Sequence, residues 1–84
     1  MKYFANPSFW QLHENLPPSV QQLADKNFEL LKTNPNHRSL HLKKIGKYWS
    51  ARVGIKYRVL GFDVEEGILW FWIGSHAEYD KLLG

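Results

Sequence analysis

The spacing of apolar residues changes near residue 35, and this change constrains the fold more than any other feature of the chain. Before it, apolar residues recur at steps of three and four: Val20, Leu23, Ala24, Phe28, Leu30 and Leu31. After it, apolar and polar residues alternate, as in "YWSARV" at positions 48–53. The first period predicts an amphipathic helix and the second a half-buried strand. We therefore expect helices first and a sheet afterwards, an α+β chain.

Two helices are expected in the N-terminal part, after a short strand at residues 1–5. In "NPSFWQLHENL", Asn6 is the predicted N-cap and Pro7 occupies the first helical position. The buried side of this first helix is predicted to consist of Phe9, Trp10 and Leu12. The second helix begins at residues 17–19 and ends before Pro35, because a proline disfavours helical backbone in the residue that precedes it.

The rest of the chain predicts an antiparallel meander. Its strands are expected in "SLHLKKI", "YWSARV", "YRVLGF" and "ILWFWI". The last of these is apolar throughout, which favours a central strand covered on both faces. Residues 76–83 predict a short closing helix. The predicted fold is thus a single domain over residues 1–84, in which an N-terminal helical hairpin packs on a small antiparallel β-sheet.

Composition restricts the possible functions. The chain has no cysteine, which excludes disulfides and thiolate metal sites. It has no apolar run near the roughly 18 residues of a membrane-spanning helix, so we expect a cytoplasmic protein. No acidic residue occurs between Glu29 and Asp63, an interval that holds most of the 11 lysines and arginines. This segregation predicts a positive face that binds polyanions; a solvated surface balanced by acids nearby in space is the alternative.

Several segments together resemble the RelE/ParE superfamily, the toxins of type II toxin–antitoxin modules. They are "LPPSVQQLADKNFELLKTNP", "HRSLHLKKIGKYWSARV", "KYRVL" and "FWIGSHAEYDKLL", in this order along the chain. The resemblance implies an endoribonuclease that works without a metal or other cofactor and cleaves messenger RNA, often on the ribosome. It also implies a cognate antitoxin protein as a partner.

The resemblance further implies which residues form the site. Arg58 in "KYRVL" matches the strand arginine placed against the scissile phosphate, and Arg52 matches a basic residue of the preceding strand. A guanidinium suits this role because its donors fit phosphate geometry and it stays charged. If Val53 pairs with Tyr57 around a three-residue loop, the two arginines share a face of the sheet. A two-residue loop at 54–55 would place them on opposite faces.

A histidine and a tyrosine complete the expected catalytic set. His76 matches the histidine of the family's Gly-Ser/Thr-His ending, and its ordinary pKa of about 6.5 allows it to give or take a proton near neutrality. Tyr79 is expected to stack on a base or to position the 2′-hydroxyl, and a tyrosine that only packs in the core is the alternative. Five further residues are expected to bind RNA: His41, Lys43, Lys44, Lys47 and Lys56. His37 and His41 have i, i+4 spacing, but "NPN" argues against a helix there, so no metal site is expected.

Two other functions are compatible with the same residues. A ParE-like toxin would poison DNA gyrase by binding, without a ribonuclease site. The pairing of Arg58 with His76 argues against this alternative, because the gyrase-directed branch generally lacks the acid/base residue. A third possibility is a catalytically weak domain of the same fold that binds only antitoxin or RNA.

Overall fold

A five-stranded sheet forms the frame of the molecule, with strand order β1-β5-β4-β3-β2. The structure is a computed structural model and describes residues 2 to 83. Its strands and helices are, in chain order, β1 (Lys2–Ala5), α1 (Pro7–Glu14), α2 (Pro18–Thr33), β2 (Lys43–Ile45), β3 (Tyr48–Val53), β4 (Tyr57–Val64), β5 (Gly67–Ser75) and α3 (His76–Leu83). The predicted α+β class is confirmed.

The sheet is mixed, whereas the sequence predicted an antiparallel one. Strands β2 to β5 do form the expected antiparallel meander. The N-terminal strand β1, however, pairs in parallel with β5, from Lys2 opposite Gly67 to Ala5 opposite Trp70. Parallel pairing is possible here because α1, α2 and the meander lie between the two strands in sequence. Alternation of side chains predicts a strand but not the direction of its partner.

The first helix begins where the sequence predicted. Asn6 is its N-cap, and its Oδ1 accepts a hydrogen bond from the amide of Phe9 at 2.9 Å. The buried side differs from the prediction, because Phe9 and His13 are buried whereas Trp10 is 44% exposed. Phe9 and His13 are four residues apart on one stripe of the helix, and the Trp10 ring packs edge-on against both from the exposed border of this stripe.

Both N-terminal helices pack on the same face of the sheet, α1 against β5 and α2 against β3. This face holds the main hydrophobic core: Phe9, Ala24, Leu31, Leu40, Ala51, Val53, Val59, Ile68, Trp70 and Ile73. The second helix ends at Thr33, ahead of Pro35 as predicted. No helix within residues 2–83 is long and apolar enough to cross a membrane.

Strand β5 is an internal strand, as predicted, but only one of its faces is fully buried. Ile68, Trp70 and Ile73 point into the core and are at most 2% exposed, whereas Leu69, Phe71 and Trp72 are only partly buried. A β-bulge explains why Ile73, three residues after Trp70, faces the core as well. Leu60 pairs with Trp72 and Gly61 with Trp70, which leaves Phe71 without an opposite residue. The prediction of a strand covered on both faces is therefore wrong, because α3 covers only one end of the second face.

The segment "SLHLKKI" is not the continuous strand that the sequence predicted. Residues Arg38–Leu40 form a turn of 3-10 helix, and β2 comprises only Lys43–Ile45. His41 separates the two elements with a left-handed backbone conformation, φ 48°. The interruption lets Leu40 enter the core, where it is 2% exposed. A short helical turn thus exists where "NPN" argued against a helix.

Candidate functional site

The turn between β3 and β4 decides the geometry of the candidate site. Val53 pairs with Tyr57 around the three-residue loop 54–56, so Arg52 lies directly opposite Arg58. Residues that face each other across antiparallel strands point to the same side of the sheet. Gly54 supports the turn with a φ of +66°, a conformation that residues with a side chain rarely adopt. Of the two loop lengths compatible with the sequence, the structure has the one that brings the arginines together.

The two arginines lie in a cleft of about 370 Å³ on the sheet face opposite the N-terminal helices. Its lining includes most of the residues that sequence analysis assigned to the site. They are His41, Lys43, Arg52, Arg58, His76 and Tyr79, and the remaining lining residues are Ile45, Ser50, Asp80 and Leu83. Strands β2, β3 and β4 form the floor and α3 forms one wall. Three permanent cations and one carboxylate line the cleft, so an anionic ligand is favoured.

Helix α3 is held at the edge of the cleft by a capping box at its N-terminus. The Ser75 hydroxyl accepts a hydrogen bond from the Glu78 amide at 3.2 Å. The Glu78 carboxylate in turn accepts one from the Ser75 amide at 3.1 Å. This reciprocal pair satisfies two otherwise free N–H groups. The hydrogen bond from the Ser75 backbone also lowers the pKa of Glu78. In addition, the His76 amide donates to the Lys56 carbonyl at 2.7 Å, which ties the helix start to the β3–β4 loop.

His76 is exposed at the cleft mouth and has an acidic partner that sequence analysis missed. Its Nδ1 lies 3.0 Å from Oδ2 of Asp80, one helical turn further along α3. A carboxylate at Nδ1 favours the tautomer with the proton on that nitrogen and leaves Nε2 free to exchange a proton. The i, i+4 spacing of the two residues could have revealed the pair, because both lie within the predicted C-terminal helix.

Tyr79 lies at the inner end of the cleft and is 8% exposed. Its hydroxyl donates a hydrogen bond to Ser50 Oγ on β3 at 2.9 Å. Ser50 is 2% exposed and was not identified from the sequence. No local signal could have identified it, since the two residues are 29 positions apart. The hydrogen bond joins α3 to the floor of the cleft beside Arg52.

Arg58 is the most constrained of the cationic groups. Its Nη1 donates to the Tyr57 carbonyl at 2.9 Å. Burial lowers the pKa of Arg58 from its ordinary value, and the nearby charge of Arg52 lowers it further. Two guanidiniums on one sheet face repel each other, and a bound anion between them would relieve the repulsion. The arrangement therefore favours phosphate more than two separate arginines would.

The other predicted RNA-binding lysines occupy different places. Lys43 pairs with Ser50 across the strands and lines the cleft. Lys56 is exposed in the β3–β4 loop, next to the start of α3. Lys44 and Lys47 lie at the opposite end of β3, away from His76. The Lys44 ammonium forms an ion pair with Asp63, so its charge is already balanced within the chain.

A second cavity, of about 420 Å³, lies between the N-terminal helices and the sheet and is lined mainly by core residues. At its edge His13, 8% exposed, has its Nε2 2.9 Å from an Asp25 carboxylate oxygen. This pair links α1 to α2 across the apolar space. Among residues 2–83, no group of three or more histidine, aspartate or glutamate side chains is arranged to hold a metal ion.

No protein-family model and no curated protein matches this chain. Three solved structures are similar to it across nearly its whole length. A chain of the RelB–RelE antitoxin–toxin complex from Methanococcus jannaschii has a TM-score of 0.69 at 19% identity, covering 96% of this chain and 99% of that one. A YoeB/ParE toxin from Agrobacterium tumefaciens has a TM-score of 0.67 at 15% identity, covering 90% and 99%.

The third is a copper-bound mutant toxin from Helicobacter pylori, with a TM-score of 0.64 at 15% identity, covering 93% of this chain and 97% of that one. At these identities the similarity establishes the fold and leaves activity to be argued from the site. The resemblance found in the sequence is confirmed at this level: the chain has the fold of RelE/ParE-superfamily toxins.

Proposed function

We propose that this protein is the toxin of a toxin–antitoxin pair and that it cleaves messenger RNA without a metal ion. One observation carries the proposal most directly. Arg52 and Arg58 face each other on one side of the sheet and line a single cleft with His76. Phosphate binding and proton transfer are thereby available at the same place, which is the minimum that RNA cleavage through the ribose 2′-hydroxyl requires.

In the proposed reaction, the ribose O2′ attacks the adjacent phosphorus and the bond from phosphorus to the O5′ of the next nucleotide breaks. The products are a 2′,3′-cyclic phosphate and a free 5′-hydroxyl, so one proton moves in net terms from O2′ to O5′. Nε2 of His76 exchanges this proton with one of the two oxygens; because in-line attack places O2′ and O5′ on opposite sides of phosphorus, water exchanges it with the other. The histidine's partner Asp80 holds the imidazole ring in place through Nδ1.

The arginines stabilise the charge that develops on the phosphorane. A guanidinium delivers two parallel donors to a pair of phosphate oxygens, and two of them in a partly buried cleft supply this stabilisation without reorganisation. Lys43 and Lys56 bind the phosphates on either side of the scissile bond. His41 lies in the same cleft and contacts the RNA there. We propose that Tyr79 is a positioning residue, which fixes α3, and with it His76, against the floor.

The test is a cleavage assay with free messenger RNA in EDTA and, because ribosomes need Mg²⁺ to stay assembled, with messenger RNA on programmed ribosomes in a Mg²⁺ buffer. We expect cuts that end in a 2′,3′-cyclic phosphate and that fall at least a hundredfold in Arg58→Ala and His76→Ala, as is typical when one transition-state donor or one acid/base group is removed, a loss of roughly 10²–10⁴-fold. Lys26→Ala is the matched control. It removes an exposed cation from α2, on the other side of the sheet, and should leave the rate unchanged.

Cleavage of free messenger RNA that disappears in EDTA would contradict the metal-independent mechanism. Absence of cleavage on and off the ribosome would contradict the ribonuclease itself, and inhibition of gyrase supercoiling by the same preparation would then favour the gyrase poison. If neither activity exists, a domain that only binds antitoxin or RNA remains.

The proposed partner is an antitoxin with an acidic segment. The cleft and its surroundings carry an excess of positive charge, and a carboxylate-rich segment could occupy the arginines in place of RNA phosphates. Such a segment should compete with RNA. Its binding should weaken in Arg52→Ala and Arg58→Ala but not in Lys26→Ala, which isothermal titration would measure.

A further inference from the structure

The sheet face that carries the cleft continues beyond it as an exposed aromatic surface. Tyr48 precedes Arg52 by four residues on β3, so both point to the same face. Phe62 lies opposite Tyr48 on β4 and is 38% exposed. Phe71 on β5 lies with its ring centroid 5.4 Å from that of Phe62 and 5.6 Å from that of Tyr48. We call Tyr48, Phe62 and Phe71 the aromatic platform.

A β-bulge in β5 lies at this platform. Phe71 is the residue without an opposite partner on β4; it follows Leu69 by two positions on the open face, and the extra position places Trp72 on that face as well. Bulges commonly redirect a side chain in this way beside functional sites. Helix α3 reaches the middle of β3 through the hydrogen bond from Tyr79 to Ser50, but no residue of α3 lines the cavity beside the platform.

The platform borders a shallow cavity of about 600 Å³ with a basic rim. The Lys47 ammonium lies 5.4 Å from the centre of the Tyr48 ring. Asp63 is the acidic residue at this cavity, and it already accepts hydrogen bonds from the Lys44 ammonium and from the Trp49 indole at 2.8 Å. Its charge is therefore balanced within the chain, whereas Lys47 remains exposed.

We propose that the aromatic platform stacks the bases of the RNA strand whose scissile phosphate lies in the cleft. This inference rests on the proposed function and adds to it a second contact region for single-stranded RNA. Aromatic rings beside a basic track are the usual way in which proteins hold a single strand without reading its sequence. Because every base has a stackable face, the platform contributes affinity and leaves base preference to the cleft.

The geometry favours RNA over an apolar peptide segment. Tyr48 and Arg52 are four residues apart along one strand, which corresponds to about 13 Å at 3.3 Å per residue. A single strand crosses this distance with a few nucleotides, so one RNA can occupy the cleft and the platform together. The same path carries Lys43 near the cleft and Lys47 near the platform, which complement phosphates and not an apolar segment.

The experiment measures binding, so that it does not depend on cleavage. The probes are fluorescein-labelled 2′-O-methyl oligonucleotides, in which the attacking hydroxyl is blocked. A trimer is compared with hexamers extended at the 5′ or the 3′ end, and with hexamers whose three additional positions are abasic. Dissociation constants are obtained by fluorescence anisotropy at one fixed salt concentration, because phosphate contacts make affinity depend on salt.

For the wild-type protein we expect one of the two hexamers to bind about tenfold or more tighter than its abasic counterpart, in line with the usual contribution of base–aromatic stacking. Tyr48→Leu and Phe71→Leu should each reduce this ratio severalfold, and Tyr48→Phe should preserve it. Trp10→Leu is the matched control, since Trp10 is an exposed aromatic residue on the helix side of the sheet. Thermal unfolding confirms that each variant is folded; if Phe71→Leu is not, Tyr48→Leu decides alone.

Equal affinity for hexamers with and without bases would overturn the inference, whatever the cleavage assay gives. A base-dependent gain that survives Tyr48→Leu would also overturn it, because the stacking would then occur elsewhere. If the hexamer binds more tightly than its abasic counterpart, as expected, but the protein cleaves no RNA, the ribonuclease proposal fails and the platform stands as an RNA-binding site.

Discussion

The hydrogen bond between Tyr79 and Ser50 provides the most direct test of what the C-terminal helix does. The Tyr79 hydroxyl donates to Ser50 Oγ at 2.9 Å, and both side chains are buried. Tyr79→Phe removes the donor and leaves the Ser50 oxygen without its partner. A buried hydrogen bond contributes about 1 kcal/mol net, and an unsatisfied partner adds to the loss. We therefore expect Tyr79→Phe to lower the free energy of unfolding by about 1–2 kcal/mol.

Urea or thermal unfolding followed by circular dichroism measures this loss. For a domain of this size, 1 kcal/mol corresponds to a decrease in Tm of roughly 4–8 °C. Ser50→Ala should cost a similar amount, since it leaves the Tyr79 hydroxyl buried and unpaired. The double variant should cost little more than either single change, because both act on one hydrogen bond. The cleavage rate of folded Tyr79→Phe, measured well below its Tm, should stay within about threefold of the wild-type rate, because the buried ring still packs α3 against the sheet.

Two results would refute this reasoning. Additive losses in the double variant would mean that the two hydroxyls do not interact. Unchanged stability of Tyr79→Phe, together with a large loss of cleavage, would mean that the hydroxyl acts on the substrate and not on Ser50.

Two further predictions concern the scaffold. A Cβ at Gly61 would lie 2.7 Å from Trp70 Cε3 and 2.8 Å from Ile68 Cγ2, both in the core. Gly61→Ala should therefore lower the free energy of unfolding in urea by about 1–3 kcal/mol. An unchanged urea midpoint would mean that the bulge can shift to make room. The lowered pKa of Glu78 in the folded state contributes stability above the ordinary glutamate pKa of about 4.3, and this contribution is lost as the pH falls through the folded value. Glu78→Gln should therefore flatten the decrease in Tm between about pH 5 and pH 3, and parallel wild-type and variant curves would contradict the capping role.

The sequence alone determined the elements that depend on local rules. Asn6 and Pro7 start α1 as predicted, and Pro35 ends α2, because capping and proline sterics act within a few residues. The alternation at 48–53 predicted correctly which side chains of β3 face the core. The order of the basic and C-terminal segments was also sufficient to indicate the toxin-like fold that the solved structures share.

Tertiary structure decided the features in which distant segments meet. The loop length at 54–56 set the register that places Arg52 opposite Arg58, and two loop lengths were equally compatible with the sequence. The parallel pairing of β1 with β5 could not be predicted, because alternation carries no information about strand direction. The bulge at Phe71 could not be predicted, because a run that is apolar throughout does not show where one unpaired residue changes which face the following side chains occupy.

The candidate site divides in the same way. The residue types were evident from the sequence. Arginines, lysines and histidines in an interval without acidic residues indicate an anionic ligand even before their positions in the fold are known. Their grouping was not evident. In the folded chain Lys43 lines the cleft, whereas Lys44 forms an ion pair with Asp63. Asp80 pairs with His76, and Ser50 accepts a hydrogen bond from Tyr79. The sequence determined the chemical groups available, and the packing of α3 on the sheet decided which of them form one site, because hydrogen bonds and ion pairs act only over a few ångströms.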